Sequence, residues 1–266
     1  MSWWGKVVGG TFGFMLGGPL GALMGASLGN YFDGGIESAR RGPALGLGLG
    51  LGLGDTERVQ SVFFTTTFAL MGYIAKADGE VTADEIALTE QVIQQMHLGS
   101  VQRKVAIKLF NAGKKDGFPV HEVLAQFKRE CFRRRNLIQM FLEIVTATAF
   151  ADGRMDSREQ RILEGIAADL GYSKADYAQF RSRLSGQAHF ASDESVEDKL
   201  QGAYTLLDCK PGVGAAELKK AYRRQMNQHH PDKLVAKGLP EEMIDLATRK
   251  TQDIKAAYEL IKLHRD

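Results

Sequence analysis

Leu218-Lys219-Lys220-Ala221-Tyr222-Arg223-Arg224-Gln225-Met226-Asn227-Gln228-His229-His230-Pro231-Asp232 carries a helical pattern that stops abruptly. Leu218, Ala221, Tyr222 and Met226 recur at three- and four-residue spacing, which predicts one inward helix face. Lys219, Lys220, Arg223 and Arg224 occupy the other face, with Glu217 the nearby acid. Pro231 has no N–H to donate and disfavours helix at the residue before it, so the helix should end there. The turn then presents His230 and Asp232 at the end of a basic face. Downstream, Met243, Ala247, Ile254, Tyr258 and Ile261 repeat at helical spacing. They predict a long helix from about 240 to 263 that packs antiparallel on the first.

Tyr204, Leu206 and Leu207 precede the basic helix, and Ile254-Lys255-Ala256-Ala257-Tyr258-Glu259-Leu260-Ile261 follows the turn. With His229-His230-Pro231-Asp232-Lys233-Leu234 between them, residues 199–266 resemble a J domain. The resemblance implies docking on a DnaK-type chaperone through His230, Pro231, Asp232, Tyr222, Lys219, Lys220, Arg223, Arg224 and Lys233. It implies that Asp232 pairs with an arginine of that chaperone and that His230 orders the turn. ATP would sit on the partner, so no cofactor and no catalytic residue is expected here. A catalytic reading of His229, His230 and Asp232 fails because no nucleophile or metal set lies nearby in sequence. Gln225 and Thr251 stand where J domains usually carry apolar residues.

Upstream, residues 58–185 read as helices almost throughout, with Pro119 the one proline. Phe63, Phe64, Phe68, Met71 and Ile74 form one apolar face; Leu137, Met140, Phe141, Ile144 and Val145 form another. Ala77-Asp78-Gly79-Glu80-Val81-Thr82-Ala83-Asp84-Glu85 matches Ala151-Asp152-Gly153-Arg154-Met155-Asp156-Ser157-Arg158-Glu159 at an offset of 74 residues. Gly79 and Gly153 suit helix ends, and Thr82 and Asp156 suit N-caps completed by Glu85 and Glu159. Two helix–turn–helix hairpins related by duplication are expected. The region resembles the tellurite-resistance (TerB-like) helical domain. Its acidic loops raise Asp78 and Asp152 as metal ligands, but capping accounts for the same residues and no metal is expected. Lys128, Arg129, Arg133, Arg134 and Arg135 read as a solvated helix face.

The N-terminal segment decides where such a molecule resides. Val7 to Phe32 is uncharged over 26 positions. As a helix it would span about 39 Å, against a hydrocarbon core of about 30 Å. Trp3, Trp4 and Tyr31 flank it as interfacial aromatics do. A cleaved leader has a shorter apolar core, and a buried helix in water would suffer from so many glycines. Gly9, Gly13, Gly17, Gly21, Gly25 and Gly29 recur every fourth residue, a spacing that lets two helices approach closely in lipid. A homodimer through this ridge is expected. Arg40, Arg41 and Arg58 outweigh Lys6 across the span, which predicts a short periplasmic N-terminus and cytoplasmic C-terminal domains.

Lys and Arg number 34 and Asp and Glu 32, a net charge of +2 that gives nucleic-acid binding no support. Cys131 and Cys209 fit a reducing compartment and neither a disulfide scaffold nor a zinc site. The expected fold is all-α. A transmembrane anchor over 1–33 leads to a Gly/Leu-rich linker over 34–57 and a TerB-like domain over 58–185. A second linker, 186–198, precedes the J domain over 199–266. The whole resembles the membrane-anchored DnaJ-like proteins, which implies a bacterial inner-membrane co-chaperone with an unknown client. The alternative is a membrane-tethered sensor or scaffold whose TerB-like domain binds a ligand or partner, with the J domain as output.

Overall fold

The computed structural model describes residues 17–32, 55–76, 96, 98–149, 157–191 and 195–265. Helices dominate, and no strand occurs among the described residues. Two compact units divide the chain, residues 1–133 and 134–266.

The first unit contains α1 (Gly18–Phe32), α2 (Asp55–Ala75), α3 (Ser100–Gly113) and α4 (Val120–Glu130). Helix α2 is buried on nearly every side, including Phe63, Phe64, Phe68, Met71 and Ile74 as expected. A helix without a polar face belongs at the centre of a bundle. Its buried Thr65 and Thr67 hydroxyls donate to the carbonyls of Ser61 and Phe63, at 2.8 Å each. Helix α3 crosses α2 where a glycine of each helix lies against the backbone of the other. A Cβ on Gly72 would lie 1.9 Å from the Phe110 carbonyl oxygen, and one on Gly113 would lie 1.8 Å from that of Ala69. Arg58 grips Glu130 with two hydrogen bonds of 2.8 and 2.6 Å, tying the start of α2 to the end of α4.

The uninterrupted helix expected over 7–32 is corrected in its described part. Gly17 and Gly18 both have positive φ, at +57° and +58°, and α1 begins at Gly18 with Pro19 in its first turn. Left-handed residues do not continue a right-handed helix. No helix among the described residues is long and apolar enough to cross a membrane. Leu20 and Met24 are buried. The Leu20 N–H donates to Gln126 Oε1, and Gln126 Nε2 donates to the Gly17 carbonyl. Gly9 and Gly13 lie outside the described residues, as does most of the 34–57 linker; residues 55–57 belong to α2.

The second unit contains α5 (Arg135–Ala149), α6 (Ser157–Leu170), α7 (Lys174–Ala191), α8 (Val196–Leu206), α9 (Ala215–His229), α10 (Pro231–Ala236) and α11 (Ile244–Leu263). The expected α5 face, Leu137, Met140, Phe141, Ile144 and Val145, is buried. The linker expected over 186–198 is largely helix instead: α7 runs to Ala191, and Ser195 caps α8 by accepting from the Asp198 N–H at 3.2 Å. Gly186 serves close contact there, because a Cβ on it would meet Thr205 Cβ at 2.6 Å. Gly202 answers from α8, where a Cβ would meet the Gly186 carbonyl oxygen at 2.8 Å.

Helices α8, α9 and α11 enclose a core of Ala203, Tyr204, Leu206, Leu207, Leu218, Ile254, Ala257 and Ile261, with Phe190 of α7 packed against it. The final helix starts at Ile244 after a single 3-10 turn, Glu241–Met243, rather than at Pro240.

Candidate functional site

Helix α9 buries Leu218 and Ala221 and exposes Lys219, Lys220, Arg223 and Arg224. Tyr222 is half-buried and stacks on Tyr258 of α11, with ring centroids 4.4 Å apart and planes inclined by 28°. The ring therefore fixes the rotation of α9 on α11, which settles where the cations point.

The turn after α9 is tighter than a loop. Pro231 occupies the first position of the short helix α10, where its missing N–H costs nothing. His230 is at once the end of α9 and the N-cap of α10. Its Nδ1 accepts from the Asp232 N–H at 3.2 Å, and its carbonyl accepts from the Leu234 N–H at 3.0 Å. The Asp232 side chain is left 91% exposed, 4.0 Å from His230 Nδ1. Lys233 bends back and donates to Asn227 Oδ1. The turn thus presents one carboxylate to solvent on a backbone that the neighbouring imidazole holds.

The four cations of α9 are not equivalent. Arg224 donates to the carbonyl and to Oδ2 of Asp208, at 3.0 and 2.9 Å. Asp208 has a φ of +57°, and it also accepts from Gln179 Nε2 at 2.7 Å. Arg224 therefore holds the α8–α9 connection as well as facing outward.

Behind the turn lies a polar cluster that the motif does not contain. His229 is buried. Its Nε2 lies 2.9 Å from Glu143 Oε1 on α5, and its Nδ1 lies 2.9 Å from the Gln225 carbonyl. The ring therefore links α5 to α9, with an oxygen beside each nitrogen. Lys250 of α11 is also buried, 3.5 Å from Glu143 Oε2, and donates to Gln187 Oε1. Gln139 Nε2 donates to Glu143 Oε1 at 3.1 Å. Burial alone would raise the Glu143 carboxyl, but the His229 and Lys250 charges and the two hydrogen bonds override it and hold it well below the usual carboxylate range.

No grouping of three or more His, Cys, Asp or Glu that suits a metal ion occurs among the described residues, and Asp78 and Asp152 lie outside them. Cys209 is half-buried; burial pushes its thiol up, away from the reactive thiolate.

Three family models match the sequence: the Co-chaperone DjlA transmembrane domain over residues 1–50, Tellurite resistance protein TerB over 65–182, and the DnaJ domain over 202–265. The Co-chaperone protein DjlA of Photobacterium profundum is 41% identical over 271 residues, 97% of this chain and 98% of its own. That of Yersinia pseudotuberculosis is 40% identical over 281 residues, 98% of each chain. The chain belongs to the DjlA co-chaperone family. The Escherichia coli (strain K12) DjlA is 41% identical over 215 residues, 76% of this chain and 79% of its own. No solved structure matches.

This chain carries its DnaJ match in one compact unit with α5, α6 and α7, the first two of which and the start of the third lie in the TerB match. Sequence reasoning missed Glu143, Lys250 and the role of His229. The available signals were a lone carboxylate inside the apolar run 137–149, and polar Gln225 and His229 on the inward stripe of α9.

Proposed function

We propose that this chain is an inner-membrane co-chaperone that stimulates ATP hydrolysis by a DnaK-type chaperone through His230-Pro231-Asp232. The observation that carries this reading is the exposed Asp232 carboxylate on a turn capped by His230, at the end of a face bearing Lys219, Lys220 and Arg223. Asp232 pairs with a cation of the partner. Such a charge-assisted contact contributes about 1.5–3 kcal/mol, enough to couple or uncouple the two proteins. The exposed cations steer association, and this contribution weakens with salt. ATP and its hydrolysis stay on the partner, and the chain itself is not an enzyme. The match to a transmembrane domain over 1–50 supports the anchor, and the four-residue recurrence of glycine in the sequence from Gly9 to Gly29 supports pairing of two copies.

The test is single-turnover ATP hydrolysis by a DnaK-type chaperone with the full chain in vesicles. His230→Gln and Asp232→Asn should abolish stimulation while the fold is kept. Undiminished stimulation by either variant overturns the reading.

A second reading, a tethered scaffold with a ligand, draws on one feature. A cleft of about 270 Å³ opens between α6 and α7, lined by Glu164, Tyr172, Lys174, Tyr177 and Arg181 among others.

A further inference from the structure

Helix α5 and Arg134 just before it make three polar contacts to the segment that carries the His-Pro-Asp turn, on both sides of it, and one to α11. Before the turn, Asn136 Nδ2 donates to the Gln228 carbonyl at 3.1 Å, and Glu143 holds the His229 ring at 2.9 Å. Beside it, Glu143 also faces Lys250 of α11. After the turn, Arg134, which leads into α5, donates from Nη1 to the Lys237 carbonyl at 2.7 Å. Asn136, Gln139 and Glu143 recur at three- and four-residue spacing, so they share one helix face. The Gln228 and Lys237 carbonyls belong to the end of α9 and the end of α10, where helices leave acceptors without intrahelical partners. Gln225, polar where an apolar residue is usual in J domains, is buried beside His229 on the stripe of α9 that this contact covers.

We infer that α5 is a positioning element for the His-Pro-Asp turn, with Glu143 and Asn136 its principal positioning residues. Neither residue touches the chaperone. They act by anchoring Gln228 and His229, so that His230 caps α10 in one orientation and Asp232 leaves the surface in one direction. The opposite face of α9, with Lys219, Lys220 and Arg223, stays exposed, so the contact orients the docking surface without covering it. The inference rests on the reading of this turn as the docking site for a DnaK-type chaperone.

The test uses the full chain in vesicles and two readouts. The first is amide hydrogen exchange over residues 225–237, which needs no chaperone. Asn136→Ala should speed exchange there by about three- to tenfold, the factor that loss of one hydrogen bond carries, and Glu143→Gln, which breaks a buried ion pair, by more. In Asn136→Ala, amides of the α8 core, around Ala203 to Leu206, should be unchanged. The second readout is the concentration of the chain that gives half-maximal stimulation of ATP hydrolysis. It should rise by a similar factor while the maximal rate is kept, because His230 and Asp232 remain. Unchanged exchange over 225–237 in Asn136→Ala overturns the inference, and so does exchange that in this variant rises equally throughout the second unit. Should Glu143→Gln not fold, Asn136→Ala decides alone, since it leaves no buried charge unpaired. Wild-type chain that fails to stimulate hydrolysis overturns the functional reading, and the exchange result still decides the positioning.

Discussion

Glu143 and His229 are 86 residues apart and meet at 2.9 Å, and nothing in the local pattern of either announces the other. Each was visible as an oddity, a carboxylate among apolar neighbours and a histidine on an inward stripe. Polarity at an inward position marks a partner without naming it, because the partner is chosen by tertiary packing. By contrast His230, Pro231 and Asp232 were legible at once, since capping and helix termination are local. The buried pair also has a pH signature. The Glu143 carboxyl is held below its ordinary value of 4.5 in the folded chain. Its stabilising contribution is therefore complete above that value and is lost as pH falls from there towards the folded value. Denaturant midpoints of the solubilised full chain should show wild type losing stability on acidification below about pH 4.5. Glu143→Gln should be about 3–5 kcal/mol less stable at pH 7, the usual cost of breaking a buried pair, with a shallower acid slope. Parallel acid slopes for the two proteins would remove Glu143 as the responsible group.

The apolar faces of α2 and α5 and the basic and apolar faces of α9 are all where periodicity put them. Glycine was read less well. Gly186 looked like flexible linker but is a site of close helix approach, and Gly17 looked like one member of a ridge but lies in the left-handed region. A missing side chain permits a bend, a close crossing or a loop alike, so composition does not choose among them. The dimer question is best put at Gly25, where an added Cβ meets nothing within 4 Å in the same chain. Gly25→Leu should keep the chain in the membrane fraction and weaken self-association in a membrane two-hybrid assay. Ala26→Leu, one position off the ridge, should leave it intact. An equal signal from both variants would favour a monomeric anchor.

For the molecule as a whole, the side of the membrane that carries the J domain in the proposed topology sets whether the turn can meet a cytosolic partner at all. The excess of Arg40, Arg41 and Arg58 over Lys6 leads us to expect a reporter fused after Asp266 to be active only in the cytoplasm. Phosphatase activity from that fusion in the periplasm would reverse the orientation and exclude a cytosolic chaperone as partner. The order of the transmembrane, TerB and J-type parts was legible because each has its own composition or motif. The grouping of α5, α6 and α7 with the hairpin was not, because it depends on side chains distant in sequence. That grouping limits how freely such proteins exchange parts. A foreign J domain spliced on after residue 198 would arrive without His229, Gln225 and Lys250. Glu143 would then sit in its buried site with no counter-charge, so hybrids of this kind should be less stable than either parent and should recover when Glu143 is replaced by an apolar residue.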